Sequence, residues 1–234
     1  MNPFFTSNPE FEDDDLLSRP STWFKEKTSL EQIRARFSKA KNKIRIASGF
    51  FTVKGWDLIR DYIKARQVYL LVGINEPNEE QARAALVKEI RDDLAIGHHK
   101  RRRESVEDLV TRMKKGQVSI VDARASSHHA KLYIVDHHTA INTSANATGN
   151  GFLYQIESGD VHAPSEIKRF ILENSNLSGV NTPETLAALN KFNENKVANW
   201  IKSFDEYFAT ATDITQELLT ELEEWLQFAS PWDV

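Results

Sequence analysis

Residues 129–157 read HAKLYIVDHHTAINTSANATGNGFLYQIE, and the rest of the chain falls into place around this stretch. Two apolar runs, 131–135 and 139–143, flank the polar triplet Asp136-His137-His138, the pattern of two strands joined by a tight turn. On a strand, side chains two residues apart share a face. His129 and Lys131 are therefore expected to project together, as are Ser144 and Asn146 from the next strand of the hairpin. Asp136 falls at the turn. A further strand over 155–161 carries Glu157.

Outward from the hairpin, strands alternate with helices. Thr28, with Glu31 three residues on, has capping-box form and opens a helix lined by Leu30, Ile33 and Phe37. A basic stretch at Lys39, Lys41 and Lys43 leads to a strand over 44–51, helical spacing at Trp56, Ile59 and Ile63, and a buried strand over 68–74. Asn75 and Pro77 begin another helix that runs to about Gly97, followed by a basic loop over 98–103. Ser105 with Asp108 caps a short helix reaching about Lys115, a strand over 118–123 precedes the hairpin, and a helix over 164–174 follows the strand bearing Glu157. This order predicts an α/β protein with a mixed β-sheet flanked by helices. Beyond a polar linker near 174–181 the pattern is helical only. Three segments follow: an acidic, proline-containing arm over 1–22, an α/β domain over 23–178, and a helical appendage over 182–234.

Composition removes several classes of function. The 234 residues include no cysteine, which excludes disulfides, thiolate metal sites and a cysteine nucleophile. No apolar run reaches the ~18–20 residues of a membrane span, and the first 20 residues lack the order of a signal peptide, so a soluble, cytoplasmic protein with no membrane partner is expected. The net charge of −4 conceals a gradient: residues 1–20 carry −4, residues 21–140 carry +9, and residues 141–234 carry −9. A basic middle of this kind suits a polyanionic partner, and Lys100, Arg101, Arg102 and Arg103 are the candidates for contact with a nucleic-acid backbone. Histidines occur in adjacent pairs at 98–99, 128–129 and 137–138. Strand neighbours point to opposite faces and no H-E-x-x-H spacing is present, so no metal or other cofactor is expected.

The polar residues of the hairpin suit attack on a phosphodiester. Charge on the phosphoryl oxygens requires cations and hydrogen-bond donors, which Lys131, Ser144 and Asn146 offer. His129 offers a nucleophilic nitrogen, and Glu157 could orient its ring. The run His129-x-Lys131-x4-Asp136, with Ser144-x-Asn146 and Glu157, resembles the HKD motif of the phospholipase D superfamily. The likeness extends through Ser144-Ala145-Asn146-Ala147-Thr148 and Gly151, while Thr143, Phe152 and Gln155 stand where the family usually has Gly, Leu and Asn. The resemblance implies that His129 forms a phosphohistidine while Lys131, Ser144 and Asn146 hold the phosphate, and that Asp136 has a supporting hairpin or hydrogen-bonding role rather than one in proton transfer. Members of the superfamily use two such motifs and this chain has one, which implies a homodimer sharing one active site. The chain is also similar to the nuclease module at the N-terminus of some bacterial Swi/Snf-type and defence-associated helicases, which implies a helicase domain as a further partner. The expected function is a metal-independent phosphodiesterase, with DNA the favoured substrate. A phospholipid-acting phosphodiesterase and a non-catalytic dimerisation or docking module are the alternatives.

Overall fold

The computed structural model describes residues 23–24, 28–73, 88, 90, 100–123, 130–153, 157–174, 176 and 182–228. In chain order these form β1 (Trp23–Phe24), α1 (Thr28–Phe37), β2 (Lys43–Ser48), α2 (Val53–Ile59) with a 3-10 turn at Arg60–Tyr62, β3 (Gln67–Val72) and α3 (Lys100–Lys114). Then come β4 (Val118–Asp122), β5 (Leu132–Val135), β6 (Thr139–Thr143), α4 (Gly149–Leu153), β7 (Glu157–His162) and α5 (Pro164–Glu173). The chain closes with α6 (Pro183–Thr210), β8 (Thr212–Asp213) and α7 (Thr215–Phe228).

The strands make one mixed sheet in the order β1-β7-β6-β5-β2-β3-β4-β8. β2, β3 and β4 are parallel, as their continuous apolar sequences suggest, and β5, β6 and β7 form an antiparallel meander. The halves meet where β2 pairs antiparallel with β5, with Ile44 opposite Val135 and Ala47 opposite Leu132. Alternation along each strand divides its side chains between two apolar layers. Ile44, Ile46, Leu70, Ile120 and Tyr133 face a core shared with Leu30 and Ile33 of α1, Trp56 of α2, Leu109 of α3 and Leu218 of α7. Ala47, Leu71, Val121, Leu132 and Ile134 face the opposite layer, covered by Val197 and Phe204 of α6. The sheet flanked by helices is thus the architecture expected from the alternating pattern.

The C-terminal helices lie on this sheet, one on each face. Thr212 and Asp213, between them, pair with Asp122 and Val121 and extend the sheet by an eighth strand, where the sequence pattern shows helix only. The guanidinium of Arg45, on β2, binds both carboxylate oxygens of Asp205 on α6 at 2.8 and 2.9 Å. The Tyr69 ring meets Phe208 at 4.9 Å between centroids, and the His162 ring meets Trp200 at 4.8 Å.

Two local expectations are corrected. The strand expected over 44–51 ends at Ser48, because the Ser48 hydroxyl accepts from the Ala147 backbone at 2.9 Å and donates to the Phe50 carbonyl at 2.6 Å, turning the chain out of the sheet. Residues 100–103 are not loop but the first turn of α3. Ser105 is accordingly inside the helix rather than at its cap, and its hydroxyl donates to Asp57 at 2.7 Å. Asp108 accepts from the Trp56 indole at 3.0 Å, so both residues that looked like a cap instead join α3 to α2. The helix expected from Asn75 to about Gly97 lies outside the described residues apart from Lys88 and Ile90, both helical. The arm 1–22 and residues 98–99, 177–181 and 229–234 also lie outside them.

Candidate active site

The hairpin of β5 and β6 positions the motif, and its two ends do different work. At the closed end Asp136 has φ 52°, the left-handed region that Asp tolerates better than bulkier residues. Its carboxylate accepts from the backbone N–H groups of Lys41 (3.0 Å), Asn42 (2.8 Å) and Lys43 (2.9 Å), and its own N–H donates to the Lys43 carbonyl at 2.8 Å. Burial works against ionisation of this carboxyl, but the three backbone donors and the neighbouring His138 outweigh it and hold Asp136 below the usual carboxylate range. The turn is thereby stapled to the start of β2.

At the open end, the Thr143 N–H donates to the Lys131 carbonyl at 2.9 Å. Lys131 stands one residue before β5 and is only 7% exposed; Ser144 stands one residue after β6 and is exposed. These residues and Asn146 flank the end of the ladder rather than lying on its strands, which corrects the expectation that Ser144 and Asn146 share a strand face; the pairing of Lys131 with His129 lies outside the described residues. The departure from β geometry starts at Thr143, whose hydroxyl accepts from the Ala145 N–H at 3.2 Å and closes a turn at the position where the resembling motif has glycine. Ser144 is fixed by β7: its N–H donates to the Ser158 carbonyl at 2.8 Å, and its hydroxyl accepts from the Ser158 N–H at 2.9 Å.

Asn146 is held from the far side of the β2–β5 junction. Its carboxamide oxygen accepts from the Gly49 N–H at 3.1 Å, with the Ser48 hydroxyl at 3.3 Å. A backbone N–H can only donate, so the oxygen must face Gly49 and the NH2 group is turned the other way. Gly151 packs against the backbone of Asn146, where an added Cβ would stand 2.6 Å from the Asn146 carbonyl oxygen. Beneath the loop, the buried Tyr133 hydroxyl donates to the Ala145 carbonyl at 2.8 Å, so the backbone between Ser144 and Asn146 rests on a core side chain. Thr52 joins α2 to the same loop: its hydroxyl accepts from the N–H groups of Gly55 (3.0 Å) and Gly149 (3.4 Å), and Phe51 forms a parallel bridge with Ala147.

The structure thus brings Lys131, Ser144 and Asn146 to the open end of the hairpin and places Asp136 at the other end. Glu157 opens β7 next to Ser158, whose backbone binds Ser144; its side chain lies outside what is described, as does all of His129. Of the basic candidates, Arg101 binds Asp57 through Nε at 2.9 Å and Arg103 binds Glu107 at 2.9 Å, while Lys100 and Arg102 share the same first turn of α3. Ser48, Gly49, Thr52 and Tyr133 were not singled out by the sequence reading. The signal available was the small polar pair Ser48-Gly49 at the carboxyl end of an apolar strand, where open α/β sheets build their sites.

A mixed sheet with this hairpin and this cluster at its open end defines the class as a phospholipase D-like α/β domain. The chain belongs to the PLD-like domain family described as "Cardiolipin synthase, PLD-like domain", whose model matches residues 33–171, more than half of the sequence. No curated protein matches it significantly. Among solved structures it is similar to Nuc, a phospholipase D family member from Salmonella typhimurium, at 11% identity over 77% of this chain and 87% of that one, with TM-score 0.42. It is similar also to NucT from Helicobacter pylori, at 13% identity over 79% of this chain and 90% of that one, with TM-score 0.41. A third is the phosphatidylserine synthase of Haemophilus influenzae Rd KW20, at 18% identity over 74% of this chain but 44% of that one, with TM-score 0.40.

Proposed function

We propose that this protein is a metal-independent phosphodiesterase that cleaves nucleic acid, with DNA the favoured substrate, through a phosphohistidine formed at His129 in a homodimer. The observation that supports this reading is the location of Lys131, Ser144 and Asn146 at one end of the hairpin, with the Asn146 carboxamide turned by Gly49 so that its NH2 faces away from the protein backbone that anchors it. A lysine cation, a hydroxyl and an amide NH2 are the groups that stabilise the equatorial oxygens of a phosphoryl group under in-line attack.

In the first step a ring nitrogen of His129 attacks phosphorus, a P–N bond forms and the P–O bond to the leaving oxygen breaks. The leaving oxygen takes a proton from His129 of the partner subunit, the acid that a single motif per chain cannot supply. In the second step that imidazole removes a proton from water, the water oxygen attacks phosphorus, and the P–N bond breaks to release a phosphomonoester. Glu157 serves as the acceptor for the other ring nitrogen and favours the cationic ring. The basic middle of the chain, +9 over residues 21–140, supports a polyanionic substrate.

The test is cleavage of single- and double-stranded DNA and RNA in excess EDTA, wild type beside His129→Ala. Cleavage that persists in chelator and disappears in the variant supports the reading. Chelator-sensitive cleavage, or none on nucleic acid alongside turnover of phosphatidylcholine or cardiolipin vesicles, overturns it.

A further inference from the structure

A second basic feature stands beside the motif without belonging to it. β2, β3 and β4 are parallel, α2 follows β2 and α3 precedes β4, so the first turns of both helices lie at the edge of the sheet where β2 ends at Ser48. Between these turns is a cavity of about 270 Å³ lined by Val53, Lys54, Asp57, Arg101 and Arg102. Among the described residues three cations and one carboxylate line it, and the carboxylate is committed: Asp57 binds Arg101 at 2.9 Å, Arg60 at 3.5 Å and the Ser105 hydroxyl at 2.7 Å. Burial disfavours its ionised form, but Ser105, Arg101 and Arg60 together keep its carboxyl below the usual range, so it anchors Arg101 at every pH above the acid limb.

Lys54 ties the cavity to the motif. Its stem crosses Gly149, where a Cβ would stand 2.4 Å from the Lys54 Cγ, so glycine is required there for the lysine to lie across the loop. Gly149 is three residues after Asn146, at most about 10 Å of extended chain. Successive phosphates of a helical strand advance about 3.4 Å along its axis, so the span from Asn146 to the glycine beneath the lysine stem corresponds to at most about three nucleotides.

We propose that the cavity lined by Lys54, Arg101 and Arg102 is a subsite for a phosphate of the polynucleotide flanking the one that is cleaved. The inference rests on the phosphodiesterase reading above and deepens it by stating how a long substrate is held. A subsite of this kind selects polymers over isolated diesters, because a substrate with one phosphate cannot fill it.

The experiment is fluorescence anisotropy of a labelled 20-nucleotide DNA strand with Lys54→Gln, Lys54→Arg and Arg102→Gln, in a His129→Ala background so that binding is read apart from cleavage. Lys54→Gln keeps the stem over Gly149 and removes the charge. Each glutamine variant is expected to bind about five- to tenfold more weakly at moderate salt, with the slope of log K against log salt smaller by about 0.7, and Lys54→Arg is expected to bind as the parent does. Unchanged affinity and slope in both glutamine variants overturn the subsite. So does affinity for phosphatidylglycerol vesicles that exceeds affinity for DNA and is lost in Lys54→Gln, which would assign the cavity to a lipid surface. With His129 restored, the ratio of kcat/KM on the oligonucleotide to that on bis(p-nitrophenyl) phosphate should fall about five- to tenfold in each glutamine variant. Weakened binding in proteins that cleave no diester at all would preserve the subsite and remove the catalytic reading, so the two failures are distinct.

Discussion

The hydroxyl of Ser48 lies 3.3 Å from the carboxamide oxygen of Asn146, although the two residues are 98 positions apart in the chain. The same hydroxyl accepts from the Ala147 N–H, and the Gly49 N–H completes the cradle of the asparagine oxygen. The residue proposed to touch phosphate is therefore oriented by the end of the strand paired with the one Lys131 precedes.

Ser48→Ala removes the acceptor of the Ala147 N–H and one polar neighbour of Asn146, without touching substrate. On bis(p-nitrophenyl) phosphate, kcat is expected to fall about tenfold with KM changed less than about twofold, because orientation in the transition state is lost rather than ground-state binding. Ser48→Thr, which keeps the hydroxyl, should recover most of the loss. A rise in KM at constant kcat would count against the positioning role.

Asp136→Ala deletes three backbone hydrogen bonds to an ionised group and puts alanine at a positive φ. A loss of about 2–4 kcal/mol in urea unfolding is expected, with Asp136→Asn losing less because asparagine tolerates that conformation and keeps one acceptor.

The carboxyls of Asp57 and Asp136 both lie below their usual range in the folded protein. A depressed native pKa adds stability above the unfolded value of about 3.9, and that stability is lost as pH falls through the native values. Stability should therefore be flat in these groups above about pH 5 and decline below about pH 4, and the double variant Asp57→Asn, Asp136→Asn should show a shallower acid limb. An equally steep limb would mean other carboxylates govern it.

Mixed dimers provide a test of the proposed shared site. Wild-type subunits co-refolded with tagged His129→Ala and purified as heterodimers should turn over at less than about a tenth of the wild-type rate, since the proposed mechanism takes a histidine from each subunit in every cycle. Half-activity, or a monomer with full activity, would place a complete site in one chain.

Arg45 has a side chain only 9% exposed, and Asp205 supplies both of its carboxylate contacts. Asp205→Ala should destabilise the fold by about 1–3 kcal/mol, less than for a wholly buried pair because Asp205 is half exposed. A double-mutant cycle with Arg45→Met should recover part of it.

The sequence disclosed what local pattern can encode. The hairpin around Asp136 was legible because its strands and turn are contiguous, and the apolar stripe Val197 and Phe204 marked a packed helix face. Less legible was what each face covers: the stripe gives no sign that α6 lies on the layer of Ala47 and Ile134, nor that Thr212 joins the sheet. In sequence the basic run has the look of a loop, because cations without apolar neighbours resemble a solvated connection. Lys and Arg are nevertheless good helix formers, and the Arg103–Glu107 pair one turn apart supports the helix that Ser105 was expected to cap. Lys131, Ser144 and Asn146 were recognisable by spacing, but the means by which they meet was not, because it depends on Thr143 ending the ladder and on Ser48 and Gly49 arriving from a distant segment.

The junction of β2 with β5 has a consequence for the chain as it is synthesised. Everything that holds Asn146 on the far side has left the ribosome nearly a hundred residues before Asn146 itself, and Arg45 waits longer still, for Asp205. The motif is complete as a string of residues once Glu157 is translated, yet its geometry requires contacts of high sequence separation, which form late and slowly. A nascent chain would thus carry the whole signature before its geometry is set, and the turnover proposed for the folded protein, followed during refolding, would serve as a clock for closure of this seam.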